Sequence, residues 1–295
     1  MTGETRKFRG YVLTWLAFVV PIAVLCVTPA AWPRWLFMWL LAVAVFATCK
    51  FLTWNAALVS NVPIWRHGAY LFAWPGLNAV RFLESWPRPQ MPSMAEWLGG
   101  AIKMVLGGTL FWNASRFVPT DLPILLGWAG MVGVGLMLHF GLFQLLSCYW
   151  RTMGVDARPL MVAPWRSISV TEFWSKRWNM GFRDFTHQFL FGPLARRWGV
   201  RAALVLTFLF SGVIHDLVIS IPAGGGYGLP TAFFLIQLLA ITIERSSVGR
   251  RAGLCSGWRG WLFTLVSLLL PARLLFHDQF VTAIVIPWMH ALGAT

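Results

Sequence analysis

From residue 202 to 221 the chain reads "AALVLTFLFSGVIHDLVISI", an apolar run long enough to cross a bilayer. A span needs about 20 mostly apolar residues. Comparable runs fall at roughly 11–28, 35–53, 99–115, 122–148, 229–245, 260–276 and 279–293, the last short and interrupted by Pro287. The fold class expected is all-α: a polytopic transmembrane helix bundle of about eight spans, forming one integral-membrane domain over residues 1–295. "HGAYLFAWPGLNAV", broken by Pro75 and Gly76, is too short to span and reads as interfacial or re-entrant.

Composition agrees. Charged residues make up 12% and hydrophobic residues 58% of the chain, whereas soluble domains carry about 25% charged residues. The 19 tryptophans suit a chain with many membrane–water interfaces, where one end of the indole is wet. A net charge of +14 would suggest nucleic acid in a soluble protein, but no compact basic face is visible. The Lys and Arg flank the apolar runs instead, so no nucleic-acid partner is expected. The cysteines Cys26, Cys49, Cys148 and Cys255 lie far apart with no C-x-x-C or Cys/His spacing, which implies neither a disulfide framework nor a metal. "MTGETRKFRG" and the run after it read as a retained first helix rather than a cleaved signal.

Charge sets the orientation, because cytoplasmic loops collect Lys and Arg. Residues 149–201 hold nine of them, and 245–259 hold Arg245, Arg250, Arg251 and Arg259. Both loops are expected inside, the uncharged "IPAGGGYGLP" outside, and both termini cytoplasmic, in the inner membrane if the source is bacterial. The glycines of "GWAGMVGVG" (127–135) place small residues on one helix face and read as close helix packing. Gly224–Gly226 reads as a flexible turn rather than a phosphate cradle.

Against this background "SVTEFWSKRWNMGFRDFTHQF" (169–189) is polar and cationic. Ser169 and Glu172 have capping-box spacing. Trp174, Trp178, Phe182, Phe185 and Phe189 fall within an arc of about 80° on a helix, with Lys176, Arg183 and His187 opposite. An amphipathic helix lying in the headgroup plane is expected over 169–189. Asn179 sits at the shoulder of the aromatic arc, where a simple anchor has no use for an amide that needs partners. Arg177 falls on the other flank and Lys176 toward solvent. Further on, His215 and Asp216 lie deep in an apolar run, and ionisable groups there tend to be functional. Imidazole accepts a proton near neutral pH. His139 is a rival without a neighbouring acid; His277, beside Asp278, reads as interfacial.

These two stretches resemble the membrane-bound O-acyltransferases, and within them the wax-synthase-like branch. "SVTEFWSKRWN" is similar to that branch's S-x-x-x-FW-x-RWN run, "FLFSGVIHD" to its F-x-x-SG-x-x-HE run, and the tail "LLFHDQFVTAIVIPWMHALG" to its closing segment. The resemblance covers about the C-terminal half, residues 149–295, and departs at Asp216, where the branch carries Glu and the longer side chain reaches further. It implies a helical bundle around a tunnel, with His215 as the catalytic histidine and Asn179 as its polar partner. Phe173, Trp174, Arg177, Trp178, Ser211 and Asp216 then belong to the substrate-binding surroundings. It further implies acyl-CoA as a co-substrate arriving from the cytoplasm, a lipophilic alcohol arriving from the membrane lipids, and no cofactor.

The reaction expected is acyl transfer from acyl-CoA to a hydroxyl, with His215 as general base and Asn179 either donating to the oxyanion or positioning the thioester. Arg177 and Lys176 are candidate donors to coenzyme A phosphates. A long-chain alcohol is the favoured acceptor, giving a wax ester; diacylglycerol, a sterol-like alcohol or a specialised metabolite also fit. The rival class is a proton-coupled lipid transporter or flippase using His215 and Asp216 as a relay, which would require matching acids or inverted repeats.

Overall fold

A computed structural model describes residues 18–84, 89–119 and 121–295. Arg6, Lys7 and Arg9, and the first part of the run 11–28, lie outside them. Helices make up the described chain from Val19 to Ala291, and no strand forms among the described residues.

Fewer than the eight expected spans are recognisable by length and hydropathy among the described residues. Among the described residues, three helices are long and apolar enough to cross a membrane: Arg34–Ala56, Pro123–Thr152 and Met180–Ala223. A fourth arises if Gly257–Leu275 and Asp278–Ala291, bent by 58° at their junction, act as one span. The runs at 260–276 and 279–293 thus fall on two helices that meet at a sharp bend. The run at 99–115 sits in the 24-residue helix Met94–Phe117, which also carries Glu96, Lys103 and Arg116. Leu229–Arg245 has 17 residues, roughly 26 Å of helix at 1.5 Å per residue, just short of the bilayer core.

Glycine sets how closely these helices approach. A Cβ on Gly133 would lie 2.8 Å from both the Gly107 carbonyl oxygen and the Phe111 nitrogen, so Met94–Phe117 and Pro123–Thr152 touch backbone to backbone. Gly127 and Gly130 likewise receive Val281 and Met289. The small face thus packs helices, as its spacing implies. Around it a cluster of Met38, Phe111, Ile219, Phe280, Ile284 and Met289 joins both halves of the chain.

Two departures from helix position the site. Gly199 has φ +82° and ψ 163°, separating the more polar residues 180–198 from the apolar residues 200–223. The second is at Trp178 and Asn179. The expected continuous helix over 169–189 divides there into a segment at 170–177, with π-helical hydrogen bonding over Phe173–Arg177, and the helix Met180–Thr186. Backbone partners from elsewhere in the chain cause the break. Leu160 accepts from the Met180 N–H at 2.9 Å, and the Val162 N–H donates to the Arg177 carbonyl at 2.8 Å. Helical periodicity carries no sign of such partners.

Candidate active site

His215 ends the helix Gly192–His215, and a π-helical turn over Asp216–Ser220 follows. Its Nδ1 lies 2.7 Å from the Ser211 carbonyl oxygen. A carbonyl only accepts, so Nδ1 carries the proton and Nε2 is left with its lone pair. Nε2 has no hydrogen-bond partner among the described residues. The ring packs against Phe234, tilted by 44° with centroids 4.6 Å apart. A half-buried imidazole with one nitrogen fixed and the other free suits a proton acceptor.

Ser211 thus orients His215 through its backbone; its hydroxyl is spent on the Thr207 carbonyl at 3.0 Å. Asp216 makes no hydrogen bond to His215. Its carboxylate accepts from Ser220 Oγ at 2.9 Å, the Gly228 N–H at 2.8 Å, the Thr231 N–H at 3.0 Å and the Thr231 hydroxyl. It ties the 226–231 turn to the end of the span, a task for which a short carboxylate is long enough. The same turn buries His277: its Nδ1 accepts from the Phe280 N–H at 3.2 Å, and its Nε2 is 3.3 Å from Ser220 Oγ.

Asn179 occupies the left-handed region, φ 41° and ψ 62°, which Asn tolerates better than most residues. Its Oδ1 caps the next helix by accepting from the Phe182 N–H at 3.1 Å, and its own N–H meets Met161 Sδ at 3.3 Å. The amide Nδ2 has no partner in the described chain and remains a spare donor. Part of the reason for an Asn here is therefore conformational. Asn179 and His215 share no hydrogen bond. Ring contacts run between their neighbourhoods: Trp178 stacks on Phe173 at 5.4 Å, Phe173 meets Trp174 at 5.0 Å, and Trp174 meets Phe234 at 5.6 Å. Phe182, Phe185 and Phe189 pack separately, near Cys49, Leu52 and Leu77. The single aromatic arc is in fact two clusters.

Arg177 is turned to protein. Its Nε and one terminal nitrogen bind Glu172 at 2.8 and 2.7 Å, and the other terminal nitrogen reaches the Val162 and Ala163 carbonyls at 3.2 and 3.4 Å. Burial pushes the Glu172 carboxyl up, but the Ile168 N–H and the Arg177 guanidinium outweigh it and hold the group below its ordinary value. Ser169 caps Glu172 N–H as its spacing implies, at 3.0 Å, while the Glu172 carboxylate takes the Ile168 N–H at 2.9 Å rather than that of Ser169.

A further residue had no reading in the sequence. Glu244, 1% exposed, reaches from Leu229–Arg245 to accept from the Val170 N–H at 2.7 Å, the Thr171 N–H at 2.9 Å and the Thr171 hydroxyl. It caps the start of the motif segment from 73 residues away. The available signal was an acid at the end of an apolar run.

Beside the motif lies a cavity of about 530 Å³ whose wall includes Lys103, Phe140, Gln144, Met161, Trp165 and Arg166. Phe140 stands 6.0 Å from Trp165 and 6.1 Å from Trp178, so the cavity adjoins the ring contacts that lead to Phe234. Glu96 also lines it, but is paired with Arg151. Lys103 lies 6.0 Å from the Trp165 ring, and neither it nor Arg166 has an acidic partner among the described residues. The wall is net cationic and partly aromatic.

The described chain thus brings together an imidazole with one free nitrogen, an amide with a spare donor, and a cavity with a net cationic wall. Residues 157–236 match the membrane bound O-acyl transferase family. Both motifs fall inside that stretch, and the resemblance they carry is borne out. A long-chain-alcohol O-fatty-acyltransferase of Simmondsia chinensis is 30% identical over 74 residues, 22% of this chain and 21% of that one. Probable long-chain-alcohol O-fatty-acyltransferases 9 and 6 of Arabidopsis thaliana are 26% and 27% identical over 128 and 148 residues, 40% and 46% of this chain. The matched stretches span 37% and 41% of those two relatives, less than half of their length.

Proposed function

We propose that the protein is an acyl-CoA-dependent O-acyltransferase that esterifies the hydroxyl of a lipophilic acceptor, with a long-chain alcohol as the favoured one. The observation that carries this is the fixed tautomer of His215, whose free Nε2 is the atom a general base needs. Nε2 takes the acceptor's hydroxyl proton as the alkoxide oxygen attacks the thioester carbonyl. The tetrahedral intermediate collapses to the ester, and the proton leaves with the coenzyme A thiol. Asn179 Nδ2 is the donor for the developing oxyanion, its other amide atom being occupied by the helix cap.

The cavity supports a phosphorylated donor. Lys103 and Arg166 provide unpaired cations for phosphates, and Trp165 provides a flat ring for a base. Arg177 instead braces the wall, which moves the expected phosphate contact from the motif to these two residues. Phe173, Trp174 and Trp178 form the apolar floor between cavity and histidine, and Ser211 and Asp216 hold the histidine's own helix and turn.

An acceptor panel tests the substrate. Purified protein in nanodiscs is given labelled acyl-CoA with a long-chain alcohol, diacylglycerol or a sterol. Preferential alkyl ester formation is expected; preference for diacylglycerol or sterol would overturn the choice of acceptor.

A further inference from the structure

Lys50 lies within the span Arg34–Ala56 and is 2% exposed. No carboxylate lies within ion-pair distance of it among the described residues. A buried ammonium is costly unless its protons are well used, and here they are used on two neighbours. Nζ donates to the Gly76 carbonyl at 2.7 Å and sits over the Tyr70 ring, 3.4 Å from its centroid. Tyr70 is itself held by Thr53, whose hydroxyl is 2.6 Å from the phenol oxygen.

Gly76 belongs to the non-helical residues 74–78, between Ile64–Ala73 and Ala79–Leu83. Among the described residues its carbonyl has no other partner. This stretch touches the motif. A Cβ on Gly181 would lie 3.3 Å from Leu77 N and 3.4 Å from Gly76 Cα, so the two backbones meet where Gly181 has no side chain. Two residues on, Asn78 Nδ2 donates to Asp184 at 3.1 Å. Gly181 is in the first turn of the helix capped by Asn179.

We propose that Lys50 is a positioning residue for acyl transfer: by fixing the Gly76 carbonyl it seats the bare backbone of residues 76–77 against the Asn179–Gly181 corner, and so aims the Asn179 amide. This rests on the reading of Asn179 as a donor in the reaction. Lys50 never meets substrate in this scheme. A lysine serves here because a donor anchored on an aromatic face is needed where helical hydrogen bonds stop inside an apolar environment.

The test is a double-mutant cycle in purified full-length protein, with kcat, acyl-CoA KM and thermal unfolding read for each variant. Lys50→Met should lower kcat about tenfold or more, since a misplacement near 1 Å can cost up to about 100-fold, with acyl-CoA KM within about twofold. In an Asn179→Ala background the same substitution should cost less than about twofold more, because groups acting through one another are not additive. Gly181→Ala, which disturbs the same contact from the other side, should repeat the pattern should Lys50→Met fold poorly. Equal losses from Lys50→Met in both backgrounds, or full kcat in a folded Lys50→Met protein, overturn the inference and leave the function standing. Full kcat in Asn179→Ala alone overturns the reading of Asn179, and the inference with it.

Discussion

His215 and Asn179 are held in opposite ways. The imidazole is set by a carbonyl four residues back on its own helix, and the turn after it by an adjacent carboxylate. The Asn179 corner is set from a distance. Leu160, Met161 and Val162 pair with its backbone and neighbours, residues 76–77 underlie it, and Glu244 caps the segment leading to it. The base is a local device and the amide donor a tertiary one. Mutations far from the chemistry should therefore disturb the amide's work and leave the base intact.

The largest effect expected is at the base. His215→Ala should lower turnover by about 10²–10⁴-fold, the range of general acid–base catalysis, without loss of folded protein, because the ring makes one hydrogen bond. Near-normal turnover in a folded variant would transfer the role elsewhere, with His139 first in line. At the amide, Asn179→Ala should cost about 10²–10³-fold, as for an oxyanion donor. Asn179→Asp is the sharper variant: Asp still caps the Phe182 N–H, so the helix keeps its start, but the donor is lost and a negative charge faces the oxyanion. If Asp restores the rate, Asn179 is a cap and nothing more.

A smaller effect separates cavity from brace. Lys103→Ala and Arg166→Ala should each raise acyl-CoA KM about tenfold, consistent with loss of a charge-assisted contact of about 1.5–3 kcal/mol, and leave the acceptor KM unchanged. Arg177→Ala should act on thermal stability first. A KM effect confined to Arg177 would restore the phosphate to the motif segment. Smallest in rate, Glu244→Gln should cost about 1–3 kcal/mol of stability by leaving a buried N–H at Val170 or Thr171 unmatched, with kcat falling more than in any variant of the 226–231 turn. Equal kcat losses at the two places would erase the contrast.

The same contrast explains what the sequence disclosed. His215, Ser211 and the glycine face act over three or four residues on one helix, within reach of periodicity and motif spacing. Asn179 stands out as a residue type, but its left-handed posture cannot be read, because the partners that break the helix at Trp178 lie 15 and 20 residues upstream of the residues they bind. Arg177 differs: its partner Glu172 lies five residues back, but the spacing of Glu172 from Ser169 points to a capping box and not to an ion pair. Apolar length alone reads the runs at 260–276 and 279–293 as two spans, since hydropathy does not register the 58° bend between them. The orientation of the loops is a separate expectation. Ser167, the natural labelling position for the 149–201 loop, is buried, so impermeant maleimide is better aimed at Arg158→Cys and Tyr227→Cys, both exposed. Arg158→Cys should label from the cytoplasmic side and Tyr227→Cys from the other.

All of this presumes that a new ester bond is made. The direct measurement follows free thiol and ester together in purified protein supplied with acyl-CoA and a long-chain alcohol, with His215→Ala alongside. The account predicts one coenzyme A thiol released for each ester formed, both abolished together in the variant. Thiol release without ester, or movement of labelled lipid across the bilayer with neither product, would contradict it.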